Sequence, residues 1–169
     1  AQKRSPAHDK KGDQHYNIIS AFIKSLRGSD NNASLYYLAR MLRAGEDPKY
    51  IARRMLIFAS EDIGLSQTAA FLVAGTAYKA TEVIGYPEIK INLTQAAIYL
   101  AKAKKDRRVV EAYDQAAADC RRFGALRPPK IILNATTALL KKIGYGRDYE
   151  LYSQEDLLPS TLMGRKYFK

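Results

Sequence analysis

Apolar side chains recur every three or four residues through most of the chain, which is the spacing of one face of an α-helix. The first such segment, residues 15–28, places five of them on one face and ends at a glycine. No segment alternates apolar and polar residues for more than a few positions, as a half-buried strand would. The pattern therefore predicts an all-α fold without a sheet.

Residues typical of helix starts and helix ends divide this periodic pattern into about six to seven helices. Asp47 can cap the third helix because Pro48 behind it suits the first helical position, where a missing N–H costs nothing. Asp106 is expected to open the sixth helix, and Asn134 to cap a short seventh one. Glycines or a proline follow most of the predicted helices, as expected where helices end.

The two ends of the chain lack the helical repeat. Residues 1–14 are polar and contain no aromatic side chain, so they are expected to be a frayed lead-in. Residues 145–169 are rich in Gly, Tyr and Pro and indicate an ordered irregular tail. The predicted fold is an irregular bundle of six to seven helices followed by that tail.

The second helix is more apolar than burial of one face requires. Leu35, Leu38 and Leu42 already form a helical stripe, and Tyr36 and Tyr37 add aromatic side chains beside it. Such a helix either lies in the middle of the bundle or presents its second face to another subunit. The sequence leaves both alternatives open.

Charge changes the picture of function. The 169 residues include 28 Lys and Arg against 17 Asp and Glu, a net charge of +11, which favours a polyanionic partner such as DNA or an acidic protein surface. Two interpretations remain open for the basic segments: solvated helix ends, or contacts to phosphates or a neighbouring subunit. The candidate contact residues are Arg53, Arg54, Lys102, Lys104, Lys105, Arg107, Arg108, Arg121 and Arg122. For Arg53 and Arg54 the structural alternative is an ion pair with Glu61 or Asp62.

The residues that enzymes and metal centres need are scarce. No phosphate loop, dinucleotide-binding glycine motif, zinc-protease motif or nucleophile elbow occurs. A single cysteine excludes an internal disulfide framework, and two histidines leave little for a metal site. Cys120, among alanines on an apolar stripe, is expected to be a small core residue. Because the catalytic motifs are missing, we expect a non-catalytic chain. No apolar run approaches membrane-spanning length and no signal peptide is seen, so we also expect the chain to be soluble and cytoplasmic.

Several long strings together resemble the C-terminal region of the RarA/MgsA family of AAA+ ATPases, which are relatives of the Werner-helicase-interacting protein. The resemblance is dense over residues 15–65 and patchier afterwards. The strings are HYN-ISA at 15–21, RGSD at 27–30, LARML at 38–42, AGEDP at 44–48, YIARR at 50–54, ASEDIGL at 59–65 and QAAIYLA at 95–101.

The resemblance implies a fragment whose nucleotide-binding core, with its ATP and magnesium, would precede it. Residues 1–30 would then end the helical lid, and residues 31–169 would form a helical homotetramerisation domain. The family members are DNA-dependent ATPases linked to stalled replication forks, recombination and repair, nucleoid-associated in bacteria, with single-strand-binding protein among their partners. The alternative function is a sequence-independent DNA-binding module. Residues 130–137 depart from the family's basic, proline-containing string there, which leaves that segment's role open.

Overall fold

A computed structural model describes the backbone of residues 7–169 and the side chains of residues 16–169. This part of the chain contains seven α-helices and no strand, which confirms the predicted all-α fold. A π-helical turn at Ala59–Ile63 and 3₁₀ turns at Gly64–Gln67, Lys130–Ile132 and Ser160–Leu162 complete the regular elements. The helices are α1 (Ala7–Arg27), α2 (Asn31–Arg43), α3 (Pro48–Phe58), α4 (Ala69–Val83), α5 (Ile89–Lys102), α6 (Arg108–Phe123) and α7 (Ala138–Lys142).

The helix starts were predicted with mixed success. Asp47 accepts a hydrogen bond from the Lys49 N–H at 2.9 Å with Pro48 in the first turn, as expected. Thr137, not Asn134, caps α7, because its hydroxyl accepts from the backbone N–H three residues on.

The first helix begins earlier than predicted. The described backbone is helical from Ala7, so residues 7–14 belong to α1 and are not a lead-in; residues 1–6 lie outside the described part. The prediction failed because apolar periodicity detects only a buried face, whereas a helix once nucleated propagates through polar residues.

The chain divides into two compact units, residues 1–109 and residues 110–169. In unit 1, α1 packs on α2, α2 packs on α5, and α4 packs on both α3 and α5. Several alanines are buried on each of α4 and α5, and such small side chains allow helix backbones to approach closely. The largest fully buried apolar side chains are Phe22, Leu26, Leu38, Ile51, Met55, Phe58, Ile63, Ile89, Leu93 and Leu100.

Unit 2 has a different character. Among residues 110–169, all of which the structure describes, Asp119 is the only buried residue, and no apolar side chain is buried. The apolar side chains of α7 and the tail are instead partly or largely exposed. The unit therefore lacks a hydrophobic core of its own within the single chain.

The position of Cys120 was predicted wrongly. Its side chain is exposed, and the neighbouring Asp119 occupies the buried position on α6. Successive residues of an α-helix are rotated by about 100° from each other, so an inward Asp119 turns Cys120 away. The partners that draw Asp119 inward come from the C-terminal tail.

Candidate nucleic-acid and subunit interface

Among the residues that the structure describes, the most buried ion pair lies in the π-helical turn, at Asp62. Its carboxylate is only 2% exposed and accepts from Arg27 Nε at 2.7 Å, Arg27 Nη2 at 2.9 Å and Arg107 Nη1 at 3.2 Å. The hydrogen bonds to Asp62 raise the pKa of Arg27. The prediction that Arg53 or Arg54 pairs with this carboxylate is therefore wrong. The wider π-helical turn shifts the residues after α3 out of α-helical register.

The backbone beside Asp62 fixes the segment that leads into α6. The Asp106 N–H donates to the Asp62 carbonyl at 2.7 Å. Gly64 has φ +54°, and a Cβ there would lie 3.1 Å from the Asp106 carbonyl oxygen and 3.3 Å from a methyl of Val109. Only glycine fits this close approach without strain.

The Lys105 ammonium caps the C-terminus of α5 and is not a solvent-facing cation. Its ammonium donates to the carbonyls of Ala103 at 2.6 Å, Ala101 at 2.8 Å and Leu100 at 3.2 Å, and to Ser29 Oγ at 3.1 Å. Burial lowers the pKa of Lys105. The side chain thus satisfies carbonyls that the C-terminus of α5 would leave unpaired.

The two neighbouring arginines also contact carboxylates of their own chain. Arg107 binds Asp62, and Arg108 Nη2 lies 2.6 Å from Asp106 Oδ2. Hydrogen bonds from Arg108 lower the pKa of Asp106 to about 2. Lys102 and Lys104 are exposed. Three of the five cations in the segment predicted as a phosphate patch therefore bind carboxylates or carbonyls of the same chain.

The remaining candidate cations are more dispersed. Arg53 is exposed, with its guanidinium 5.4 Å from the centre of the Tyr50 ring. Arg54 is half-buried, and its Nε has no hydrogen-bond partner among the described residues. Arg121 and Arg122 are exposed and lie in unit 2, whereas the other seven candidates lie in unit 1. Contact of any of the nine with DNA or another subunit stays a prediction.

The second face of α2 lies at the surface. Tyr36 is 61% exposed and meets the half-buried Tyr37 edge to face, with ring centres 5.4 Å apart. The alternative in which α2 lies in the middle of the bundle is therefore wrong. Phe71 and Leu72 on α4 are exposed in the same unit, so unit 1 carries apolar side chains on more than one helix.

A carboxylate holds the C-terminal tail in unit 2. Asp119 accepts from Arg165 Nε at 2.7 Å, Arg165 Nη2 at 2.9 Å and the Tyr167 hydroxyl at 3.0 Å. These donors lower the pKa of Asp119, the Arg165 hydrogen bonds most. Sequence reasoning missed the Asp119 cluster and gave Asp62 the wrong partners. For Asp119 the available signal was a single aspartate that follows three alanines on α6.

Comparison with known families accounts for the strings quoted in the sequence analysis. Residues 28–169 match the family described as MgsA AAA+ ATPase C terminal, and residues 1–27 match the AAA C-terminal domain. The chain belongs to the MgsA AAA+ ATPase C-terminal family. The resemblance to RarA/MgsA proteins is thereby confirmed.

Relatives of this MgsA-family chain are found in distant organisms. Replication-associated recombination protein A of Coxiella burnetii is 41% identical over 168 residues, covering 95% of this chain and 38% of the relative. The protein of the same name from Bacillus subtilis is 40% identical over 175 residues, covering 99% and 41%. ATPase WRNIP1 of Dictyostelium discoideum is 38% identical over 176 residues, covering 99% and 20%. The chain spans about two fifths or less of the length of these relatives.

No group of three or more His, Cys, Asp or Glu side chains in the described part of this MgsA-family chain could hold a metal ion. The sequence also contains no phosphate loop to cradle a triphosphate. Within the same described part, no helix combines the length and apolarity needed to cross a membrane.

Proposed function

We propose that this chain is the non-catalytic, homotetramer-forming part of a AAA+ ATPase that acts at stalled replication forks in recombination and repair. The names of the relatives support replication-associated recombination as the process. ATP and magnesium would act in an ATPase core of the same protein. DNA, and in bacteria single-strand-binding protein, would be partners of the whole assembly.

The absence of a core in unit 2 carries the assembly part of this proposal. A sixty-residue unit that buries no apolar side chain gains little hydrophobic stabilisation by itself. Its exposed apolar side chains would be buried if a second copy covered them. Exposed aromatic and leucine side chains on α2 and α4 offer further apolar surface in unit 1.

The mechanism is geometric. Holding several ATPase modules together makes their second and later contacts with DNA intramolecular, which raises avidity by about 10²–10⁴ without any new contact. No group of this chain needs to react for that purpose.

The test is the solution mass by light scattering on a sizing column, over a range of protein concentrations at low and moderate salt. A mass near four times 19.0 kDa that does not change with salt is expected for an apolar tetramer interface. A mass of 19.0 kDa at every concentration would refute the assembly function. ATP turnover by the purified chain above background would refute the non-catalytic part.

The alternative function, a sequence-independent DNA-binding module, has weaker support. Three of the cations between Lys102 and Arg108 are engaged by carboxylates or carbonyls of the chain itself. Lys102 and Lys104 remain exposed in this segment, so the alternative rests on these two lysines, on the exposed Arg53, Arg121 and Arg122, and on the net charge of +11. A fluorescence-anisotropy titration with labelled DNA tests it, because loss of both lysines would reduce the salt dependence of a true phosphate contact.

A further inference from the structure

An apolar groove of about 500 Å³ runs between α2 and α5 in unit 1. Leu35 and Leu42 of α2 form one wall, Ile91 of α5 forms the other, and the Tyr86–Pro87 segment closes one end. Ile91 is 63% exposed, although it faces this groove. The charged residues in the lining are Arg43 and Lys90, both cations. The groove thus presents an apolar floor with positive charge at its edge.

A tight turn in the C-terminal tail exposes two apolar side chains that could fill such a groove. The Ser153 N–H donates to the Glu150 carbonyl at 3.3 Å, which places Leu151 and Tyr152 at the tip of the turn. Leu151 is 69% exposed and Tyr152 is 88% exposed. Tyr152 has φ +66°, a value that glycine or asparagine usually supplies at this turn position.

The turn lies in an acidic stretch of the sequence that directly follows Arg147. Residues 148–156 contain four carboxylates, at positions 148, 150, 155 and 156, and no Lys or Arg. Copies of a chain with net charge +11 repel one another, so this acidic segment is the part best suited to approach a basic groove of another copy.

We propose that the Leu151–Tyr152 turn of one copy inserts into the α2–α5 groove of a second copy. The two apolar side chains fill the groove, and the carboxylates around them face Arg43 and Lys90. This inference rests on the proposed assembly function and assigns the contact that would produce it. The occupant is a second copy because the chain itself supplies both the apolar tip and the complementary charge.

The experiment compares three variants with the wild-type chain by light scattering at one protein concentration. The turn variant is L151S/Y152S, and the groove variant is Ile91→Glu. The control is Y16S/L65S, which removes a tyrosine that is 70% exposed on α1 and a leucine that is 59% exposed in the 3₁₀ turn Gly64–Gln67. All the changed side chains are exposed, so circular dichroism is expected to show the wild-type helix content in each variant.

The expected result is that the turn and groove variants elute near 19.0 kDa while the control keeps the wild-type mass. An equimolar mixture of the turn variant and the groove variant should then form a species near twice 19.0 kDa. Each copy in that mixture supplies the half of the contact that the other lacks. A charge exchange gives a second readout. Lys90→Glu and Glu150→Lys should each weaken assembly when present alone. A mixture of these two variants should assemble again, because each groove then meets a turn of opposite charge.

The outcomes separate this inference from the proposed function. A monomeric wild-type chain would overturn both. An oligomeric wild-type chain whose turn and groove variants keep its mass would overturn only the turn-in-groove contact. Failure of the mixture to associate, or equal loss of assembly in the control, would also overturn that contact.

Discussion

Replacement of Asp62 by asparagine tests whether the π-helical turn depends on its buried carboxylate. The side chain keeps its shape but loses its charge, and three hydrogen bonds from two guanidinium groups lose their ionic partner. Loss of one partner of a fully buried ion pair costs about 3–5 kcal/mol. The side chains of Arg27 and Arg107 are 45% and 47% exposed, so water can solvate them after the substitution. We therefore expect a loss of about 2–3 kcal/mol in the free energy of unfolding.

The assay is urea unfolding followed by circular dichroism, at one fixed protein concentration because assembly would make the apparent stability concentration-dependent. Asp62→Asn should lower the urea midpoint without changing the slope. Glu61→Gln is the matched control, since that neighbour is exposed on the same turn and should change stability by no more than about 0.5 kcal/mol. Arg27→Ala should cost more than Arg107→Ala, because Arg27 makes two short hydrogen bonds and Arg107 one longer one. An Asp62→Asn variant as stable as the control would refute this reasoning.

Three further predictions concern single side chains. Gly64→Ala should destabilise unit 1 by about 1–3 kcal/mol in the same urea assay, because its Cβ would meet the Asp106 carbonyl in a left-handed conformation; unchanged stability would show that the backbone relaxes freely. Lys105→Gln should lower stability by about 1–3 kcal/mol by leaving carbonyls of α5 unpaired, whereas the exposed Lys104→Gln should not; equal effects would contradict the capping role. The contact of Asp119 with Arg165 should resist mild acid, because the pKa of that carboxyl lies below its usual value of 3.8. Its stabilisation is fully present above pH 3.8 and is lost as the pH falls through the lower native pKa. Hydrogen–deuterium exchange of the tail amides around Arg165, corrected for the intrinsic pH dependence of exchange, should therefore accelerate only there, and acceleration near neutral pH would contradict the prediction.

The assembly proposal connects these local features to function. The Asp62 cluster holds the π-helical turn against the segment that enters α6, so its loss should affect folding and not the exposed groove. The Leu151–Tyr152 turn and the α2–α5 groove are surface features whose variants should affect assembly and not folding. Separate measurement of unfolding and solution mass therefore distinguishes scaffold from interface.

Much of the fold follows from local sequence signals. A 3.6-residue repeat and its caps are set by residues within one or two turns of each other, so the helices and the Asp47–Pro48 start were predictable. Long ordered strings such as ASEDIGL also sufficed for the family. The basic residues were found in the same way, but the sequence could not tell which of them bind their own chain.

Only the tertiary structure decided the partners of the charged residues. Asp62 lies 35 positions from Arg27 and 45 from Arg107, and Asp119 lies 46 from Arg165. The nearest cations in sequence, Arg53 and Arg54, are the ones that the local pattern suggested. Burial likewise depends on which helices meet, so neither the exposure of Cys120 nor that of the second face of α2 could be determined from the sequence alone. Helix formation is local, whereas the choice of a buried partner or an exposed face depends on contacts between distant segments.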